Sequence, residues 1–339
     1  MKVIIYGDPQ IKNHPDFLTV DERGLSNWVK IGYDCFMQMV DYAEKHGIDY
    51  MIGLGDMCER KDYVDNQILC TVGDILAVIS DAGIYHVWVV GNHDFSNPNF
   101  PLEKAFGGVP NFEVVSRWTK KVGLDMCFLS WLQDTKEYIK ILERMEGEYL
   151  FTHCNLVDVR LGSGHLLEGI FKEGDSILNK FKYIFSGHIH KPCQIGNVVY
   201  VGSMFQTDFG EVGERKRFIV LDTESGKWES VYFRYPELVQ IEGIELDRNV
   251  EGCYVKYKIK LPKNAPPVNA RELRKKALEA GALGVKVSVE RDREERKVRY
   301  TKEQVFRKTF EDFVKDYCNE HKLDVNVILE AVEELKKND

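Results

Sequence analysis

Residues 86–94 read HVWVVGNHD, a short apolar run that ends in glycine and three polar residues. A run of this length bounded by glycine predicts a buried strand, with chemically active side chains just past its end. The same pattern recurs in KVIIYGDPQ at 2–10, YMIGLGD at 50–56, YLFTHCN at 149–155 and YIFSGHIH at 183–190. Helical periodicity at 28–46 and 65–81 separates the first three strands, so the order of elements predicts a layered α/β core.

The remaining pattern predicts several domains. Segments 198–201, 218–222 and 229–234 look like consecutive strands of a second sheet. We expect a core domain over 1–236, followed by a smaller α+β cap domain, a charged linker and C-terminal helices. The boundaries expected for these last three parts are 237–290, 291–303 and 304–339.

Charge is distributed unevenly along the chain. The net charge is −8, yet residues 256–308 hold 17 Lys and Arg against 7 Asp and Glu. A basic block beside an acidic body is what an enzyme that acts on a phosphate polymer could use, so a cap that binds such a polymer is one interpretation. A solvated lysine-rich face is the alternative, and composition alone does not choose between them.

Cellular location is predicted from what the sequence lacks. No stretch approaches the roughly 18 apolar residues of a membrane span, and the first apolar run is too short for a signal peptide. None of the eight cysteines sits at C-x-x-C spacing. We therefore expect a cytoplasmic protein without a membrane partner, in the host cytoplasm if a phage encodes it.

The polar residues after the predicted strands are of the types that bind metal ions. Catalytic groups collect at the carboxyl ends of strands in layered folds. Carboxylate, amide and imidazole groups suit Mn²⁺, Fe, Zn²⁺ or Mg²⁺, and two such ions about 3.5–4 Å apart can bind a phosphate and activate a water. The candidate ligands are Asp8, Asp56, Asn92, His153, His188 and His190. Asp56 is the best bridging candidate, because it is the single acid at the end of a central strand.

Each candidate also has a structural explanation when it is taken alone. Asp8 and Asp56 follow glycines and could cap helices, a position that aspartate favours. His153 could be a hydrogen-bonded core histidine, and Asn92 a turn residue. The occurrence of all these motifs together, each at a strand end, favours a metal site.

The order GD, GD, GNHD, H and GHxH resembles the signature of the calcineurin-like metallophosphoesterases. Residues 200–211, YVGSMFQTDFGE, resemble the SbcD-type double-strand-break-repair nuclease subunits and their phage relatives. The resemblance implies a four-layer α/β/β/α sandwich and a DNA exonuclease and endonuclease, usually dependent on Mn²⁺, with Mg²⁺ as the alternative. It also implies a homodimer that acts on double-stranded DNA ends with an SMC-like ATPase of the SbcC type.

Carried over by position, the resemblance divides the ligands between two ions. One ion would be bound by Asp8, Asp56 and His190. The other would be bound by Asp56, Asn92, His153 and His188. His93 would lie beside the scissile phosphate as a catalytic residue, and Asp94 would orient His93 through its second ring nitrogen.

One position departs from the family pattern. The family's first motif is D-x-H, whereas this chain has Asp8-Pro9-Gln10. Gln10 offers a neutral and weaker ligand, so the first metal is expected to bind loosely or to be a harder ion such as Mn²⁺ or Mg²⁺. His14, four residues further on, is a possible but disfavoured substitute.

Two further segments keep two interpretations each. The loop 160–165, with Arg160 and His165, either contacts DNA as substrate-binding residues or is a flexible turn. The apolar stripe of 305–317 either packs on the chain's own cap or docks, with the last helix, onto the ATPase partner.

Two rival functions also stay open. One is a phosphatase or small-nucleotide phosphodiesterase of the same superfamily. The other is a catalytically weak scaffold that bridges DNA ends, which the departure at Gln10 keeps possible. No P-loop is present, so any ATP dependence would belong to the partner.

Overall fold

A computed structural model of the chain describes residues 1–22, 24–60, 64–95, 101–121, 125–162, 164–292 and 309–336. The chain divides into two compact units. The first consists of Met1–Ile259 and Pro267–Val289, and the second of Lys260–Pro266 and Glu290–Asp339. The structure draws no boundary at residue 236, and the predicted domain division stays a prediction. Most of the predicted linker at 291–303, together with Val305 and Phe306, lies outside the described residues.

The secondary structure is as follows. The strands are β1 Lys2–Tyr6, β2 Tyr50–Gly53, β3 Tyr85–Val89, β4 Phe112–Val115, β5 Trp118–Lys121, β6 Met126–Leu129, β7 Tyr149–Thr152, β8 Val159–Arg160, β9 Leu166–Leu167, β10 Tyr183–Ser186, β11 Cys193–Ile195, β12 Val198–Tyr200, β13 Arg217–Asp222, β14 Lys227–Tyr232, β15 Leu238–Glu242, β16 Tyr254–Leu261 and β17 Gly284–Arg291. The helices are α1 Asn27–His46, α2 Asn66–Asp81, α3 Pro101–Phe106, α4 Thr135–Arg144, α5 Ala270–Glu279, α6 Phe310–His321 and α7 Val325–Lys336. Two 3₁₀ turns lie at Leu178–Lys180 and Phe209–Glu211.

Two six-stranded mixed sheets form the body of the first unit. The first sheet has the order β14-β13-β1-β2-β3-β4, in which β1 to β4 run parallel and β13 is antiparallel to β1. The second has the order β11-β12-β10-β7-β6-β5, with a parallel centre and an antiparallel strand at each edge. The predicted mixed α/β class is therefore confirmed.

One sequence expectation about the sheets is wrong. The segments 198–201, 218–222 and 229–234 do not share a sheet, because β12 pairs with β10 whereas β13 and β14 extend the first sheet beside β1. Strand β13 satisfies the backbone hydrogen bonds along the edge of β1 that β2 leaves open. Local alternation predicts a strand but does not say which edge it will join.

Apolar side chains on both faces of each sheet build the core. Alternate residues of β1 face opposite ways: Ile4 packs with helices α1 and α2, whereas Val3 and Ile5 pack with Phe128 and Phe185 of the second sheet. A third apolar cluster joins the far face of the second sheet to α4. Burying one such side chain contributes about 1.5–3 kcal/mol, so the two sheets are held together mainly by this apolar contact.

Helix α1 begins and ends at well-formed caps. The hydroxyl of Ser26 accepts a hydrogen bond from the backbone of Val29, and Gly47 ends the helix in the left-handed region at φ 61°. Its buried stripe includes Trp28 and Cys35, at the spacing that predicted a helix here. The helix therefore covers the outer face of the first sheet.

A three-stranded sheet, in the order β15-β16-β17, packs against side chains near α1. The Nδ2 of Asn27 donates to the hydroxyl of Tyr254 on β16 at 2.7 Å, and the ring of Phe17 lies 5.0 Å from that of Tyr254. The Oε1 of Gln206 accepts from the backbone of Leu238 at 2.7 Å. These contacts place the lysines of β16 and β17 on the same side of the molecule as the carboxyl end of β1.

The second unit contains α6 and α7. A reciprocal capping box between Thr309 and Asp312 begins α6, and Lys322 ends it in the left-handed region. Across the part of the chain that the structure describes, no helix is both long enough and apolar enough to cross a membrane.

Candidate metal centre

The loops after five strands bring the predicted ligands to one place. Asp8 follows β1, Asp56 follows β2 and Asn92 follows β3 in the first sheet, while His153 follows β7 and His188 follows β10 in the second. Parallel strands present their carboxyl ends along one edge of a sheet, and the two sheets pack face to face. The two edges therefore meet at a single cluster.

The ligand atoms lie at distances that suit a bound ion. Single ligand atoms of Asp8, Asp56 and His153 all lie within 4.8 Å of one another, and all three residues are buried. The Oδ1 of Asn92 lies 2.9 Å from Nε2 of His153 and 2.9 Å from Nδ1 of His188. Neighbouring ligands around an ion with bonds of about 2.1 Å are about 3 Å apart, so these residues fit a divalent metal.

Two histidines are oriented through the ring nitrogen that faces away from the cluster. The Nδ1 of His153 donates to the carbonyl of Leu54 at 2.6 Å, which directs Nε2 toward Asp56, 3.4 Å away. The Nδ1 of His190 pairs with Oε1 of Glu211 at 2.7 Å, which leaves Nε2 4.0 Å from Oδ1 of Asp8. A backbone carbonyl or a carboxylate on the outer nitrogen is the usual support of a metal-binding histidine.

Sequence reasoning missed Glu211. The residue is the last one of the segment 200–211, whose resemblance to the family does not by itself assign a role to this glutamate. A glutamate 21 positions after a histidine carries no local signal of contact.

Several site residues adopt a backbone conformation that side chains disfavour. Asp8, Gln10, Asp56 and His188 have φ between 46° and 73°. Such conformations cost of the order of 1–3 kcal/mol each and persist where the surrounding structure enforces them. Their concentration at one cluster indicates that the loops are built to aim these side chains inward.

Glycine is required beside Asp56. Gly55 has φ 93°, and a Cβ there would lie 2.6 Å from Nδ1 of His153. A Cβ on Gly91 would lie 2.3 Å from Oδ1 of Asp56. The two glycines therefore let the loops after β2 and β3 approach the ligands closely.

Gln10 reaches the cluster through its amide nitrogen. It is buried, and its Nε2 donates to Oδ2 of Asp56 at 3.0 Å, while its backbone N–H donates to the carbonyl of Asp56. Whether Gln10 binds a metal stays a prediction. His14 does not join the cluster, because its ring packs against Phe17 and Trp28 and its Nδ1 accepts from the backbone of Asp16.

The structure gives His93 and Asp94 different partners from those predicted. The Nδ1 of His93 pairs with the carbonyl of Glu59 instead of with Asp94, and its Nε2 lies 3.9 Å from Oδ2 of Asp56. The carboxylate of Asp94 accepts from the backbone of Asp56, Met57 and Gly91 and from the indole of Trp88. Asp94 therefore joins the loops after β2 and β3.

Charge coupling inside the cluster is strong. Burial by itself would raise the pKa of Asp56, but His153 and His93 outweigh it and lower that pKa to about 2. Burial would lower the pKa of His153, but Asp56 and Asp8 raise it to about 9. Burial and the charge of His153 lower the pKa of His188 to about 4. The metal-free cluster thus keeps a proton on His153, which a metal ion would displace.

A cleft of about 1150 Å³ opens beside the cluster. Its wall includes Glu59, whose carbonyl pairs with His93, and Thr207, whose hydroxyl lies 3.4 Å from Nδ1 of His190. Four lysines also line it: Lys12, Lys256, Lys258 and Lys286. None of the candidate ligands is among the described lining residues, so the cleft meets the cluster through these contacts of Glu59 and Thr207, while β16 and β17 supply Lys256, Lys258 and Lys286 to its wall.

Two of these lysines are neutralised by neighbouring acids. Lys12 pairs with Glu59 and Lys286 with Asp16, each at 2.7 Å. Lys256 instead lies over the ring of Phe209, 5.3 Å from its centroid. Lysines and an aromatic ring thus line the same wall.

Arg160 and His165 lie on the β8–β9 hairpin. The Nη1 of Arg160 donates to the carbonyl of Gly164, and both predicted residues are exposed. Gly162, in the same loop, lines the cleft. Contact of Arg160 and His165 with a substrate stays a prediction.

Comparison with known proteins agrees with this site. The chain matches the calcineurin-like phosphoesterase family over residues 1–192, more than half of its length, and therefore belongs to that family. It is 26% identical over 215 residues to Exonuclease subunit 1 of Enterobacteria phage T4, a match that covers 60% of this chain and 62% of that protein. The predicted resemblance to the family and to a phage exonuclease subunit is confirmed.

Two solved structures are also similar in fold. One is described as a novel archaeal phosphodiesterase; it is 11% identical with a TM-score of 0.35, over 69% of this chain and 100% of that one. The other is a dimetal phosphatase from Danio rerio, 10% identical with a TM-score of 0.39, over 65% and 91%. The family match and the buried Asp–His cluster, and not these two structures, identify the chain as a phosphoesterase-family hydrolase with a site suited to metal.

Proposed function

We propose that this chain is an SbcD-type nuclease subunit that hydrolyses DNA phosphodiester bonds at or near double-strand ends. The observation that carries the proposal is a lysine-bearing cleft whose wall includes Glu59 and Thr207, the residues that contact His93 and His190 of the cluster. The similarity to an exonuclease subunit supports the same substrate class.

The proposed roles follow the geometry of the cluster. Asp8, Asp56 and His190 would hold one ion, and Asp56, Asn92, His153 and His188 the other, with Mn²⁺ preferred over Mg²⁺. Two ions there would polarise phosphate oxygens and supply a hydroxide nucleophile near neutral pH. The pairing of Nδ1 of His93 with the Glu59 carbonyl leaves its Nε2 available to contact the phosphate. As an imidazolium, with a proton on each nitrogen, His93 would give the Nε2 proton to the leaving oxygen and become neutral. Asp94 would act as a positioning residue for the Asp56 loop.

A polymer substrate explains the cleft better than a small ester does. Lys256 and Lys258 lie two residues apart on β16, so both project into it from the same face of the strand. Asp16, Glu59, Asp65 and Asp208 also line the cleft, and the described ion pairs do not include Lys256 or Lys258. Lysines beside an aromatic ring such as Phe209 are typical of nucleic-acid grooves.

The test compares DNA with a small ester. The double variant Lys256→Ala/Lys258→Ala should weaken binding of end-labelled duplex DNA and reduce the slope of log affinity against log salt by about 0.9 per lost contact. Hydrolysis of bis-p-nitrophenyl phosphate with Mn²⁺ should not change. The matched control Lys45→Ala/Lys140→Ala removes two exposed lysines outside the cleft and outside the basic segment, and should leave both readouts unchanged.

Three outcomes would contradict the proposal. Ester hydrolysis without DNA cleavage, even with an SMC-like ATPase added, would favour a phosphatase or a small-nucleotide phosphodiesterase. DNA binding with no Mn²⁺-dependent hydrolysis of either substrate would favour a scaffold. Wild-type DNA processing by His93→Asn would remove the catalytic role of that histidine.

We further propose that the C-terminal helices dock onto an SMC-like ATPase partner and that the chain works as a homodimer. The similar phage protein is itself named as a subunit. On α6 and α7, Phe310, Tyr317 and Val327 are each at least half exposed. Co-purification with the ATPase should be lost on Tyr317→Asp/Val327→Asp, while metal-dependent ester hydrolysis is retained.

A further inference from the structure

A closed ring of hydrogen bonds surrounds His190. Its Nδ1 pairs with Oε1 of Glu211 at 2.7 Å, and Oε2 of the same carboxylate pairs with Nζ of Lys216 at 2.9 Å. The ammonium group of Lys216 in turn donates to the backbone carbonyl of His190 at 2.8 Å. Side chain and backbone of one histidine are therefore fixed by a single ion pair.

The ring is buried and further supported on the carboxylate side. The side chain of Lys216 has no exposed surface, and that of Glu211 is 9% exposed. Thr207 donates to Glu211 through both its hydroxyl, at 2.8 Å, and its backbone N–H, at 3.0 Å. Ser203 adds a further hydrogen bond to Oε2 at 3.3 Å. A buried ion pair is costly unless its remaining hydrogen-bonding positions are filled, and here they are.

The carboxylate also selects the form of the imidazole ring. An ionised carboxylate only accepts hydrogen bonds, so the proton of neutral His190 stays on Nδ1 and the lone pair stays on Nε2. That Nε2 faces Oδ1 of Asp8, on the side where the first ion would lie. Without Glu211 the ring could rotate or carry its proton on Nε2, and either change removes the ligand.

We propose that Glu211 and Lys216 are positioning residues that hold His190 for the first metal ion. This inference rests on the proposed role of His190 as a ligand. It adds two residues that are not among the candidate ligands. Binding of the first ion, through His190, would depend on both of them. Asn92, His153 and His188, which would hold the second ion, take no part in this ring of hydrogen bonds. The affinity for the second ion should therefore not change when Glu211 or Lys216 is replaced.

The test is Mn²⁺ binding measured by electron paramagnetic resonance and calorimetry, without any substrate. Glu211→Gln should weaken the ion bound by the His190 half by about 10–100-fold and leave the other ion unchanged. Glu214→Gln is the matched control, because Glu214 also contacts Nζ of Lys216, at 2.7 Å, but the described contacts of His190 do not include it. It should change neither affinity by more than about twofold.

A second readout separates positioning from general damage. Nitrogen NMR of the metal-free protein should show His190 with its neutral-form proton on Nδ1, and this preference should be lost in Glu211→Gln. Lys216→Met should give the same change in metal affinity, and thermal melting verifies that each variant is folded.

Two results would overturn the inference, and they are distinguishable. If His190→Asn weakens one ion but Glu211→Gln weakens neither, positioning is wrong while the ligand role stands. If His190→Asn leaves both ions in place, the ligand assignment fails and the inference fails with it.

Discussion

Metal binding by this protein should release a proton and should therefore depend steeply on pH. The pKa of His153 is raised to about 9, mainly by Asp56 and against the effect of burial. Its Nδ1 is committed to the Leu54 carbonyl, so the proton that leaves is the one on Nε2, which points at Asn92 and Asp56. A metal ion can bind that nitrogen only after the proton has gone.

The magnitude follows from the distance between the pKa and the working pH. The working pH of 7 lies about two units below the pKa of His153. Each unit corresponds to about 1.4 kcal/mol, so removing the proton costs about 3 kcal/mol. Between pH 6.5 and 8 the apparent association constant should rise about tenfold per pH unit, since lower pH favours the competing proton. About one proton should be released when the second ion, the one proposed to be bound by His153, enters the site.

Calorimetry in two buffers of different ionisation enthalpy measures this release directly. Titration of Mg²⁺ at pH 7 should give binding heats that differ between the two buffers. The difference, divided by the difference in ionisation enthalpy, should correspond to about one proton released per ion. His153→Asn should bind the ion more weakly and release almost none. His46→Asn, at an exposed position at the end of α1, should behave as wild type. An affinity independent of pH over this range, or a heat independent of buffer, would refute the reasoning.

Three other changes have defined outcomes. Gln10→His replaces the amide that donates to Asp56 with an imidazole. Affinity for the first ion, which is expected to bind loosely beside Gln10, should therefore rise by about tenfold in a metal titration. Burial lowers the pKa of His86 to about 3, so only the unfolded chain takes up its proton below about pH 6.5. Stability should therefore fall by about 1.4 kcal/mol per pH unit from this group as pH drops toward 3. His86→Gln keeps a partner for the Tyr6 hydroxyl and should remove that part of the slope in urea unfolding. Gly55→Ala should lower the melting temperature and abolish metal binding, because its φ of 93° and the close imidazole leave no room for a Cβ.

Each of these has a comparison that can contradict it. An unchanged metal titration for Gln10→His would show that position 10 does not face the ion. Equal acid slopes for wild type and His86→Gln, between pH 7 and 5, would place the acid sensitivity elsewhere. Gly47→Ala is the control for Gly55, because it also has a left-handed φ, 61°, but no atom within 4 Å of the added Cβ. It should bind metal normally.

The clustering of the candidate ligands could be predicted from the sequence because each follows closely on the strand that positions it. Asp56 and His153 lie within three residues of a strand end, so identifying the strand also located the side chain. Parallel strands then bring such ends together without any further information. The same reasoning could not place Glu211, which meets His190 only because the chain folds back on itself after β12.

Contacts set by competition for hydrogen bonds were also beyond sequence reasoning. The resemblance implied that Asp94 orients His93, but three backbone amides and an indole surround the Asp94 carboxylate. Buried donors must find acceptors, and the loops after β2 and β3 supply several at once. In the same way, alternation predicted β13 as a strand, whereas its place beside β1 depends on which edge was open.

The pairing of β1 with β13 also has a consequence for how the chain is made. Lys2 is registered with Asp222 and Ile5 with Ile219, so β1 leaves the ribosome more than 200 residues before the strand that becomes one of its two neighbours. Until then that apolar edge is open to pairing with other chains. A fragment that stops at residue 192, where the family match ends, would keep the edge open permanently. Such a fragment would aggregate during synthesis, while the longer chain needs protection only until its late strand arrives.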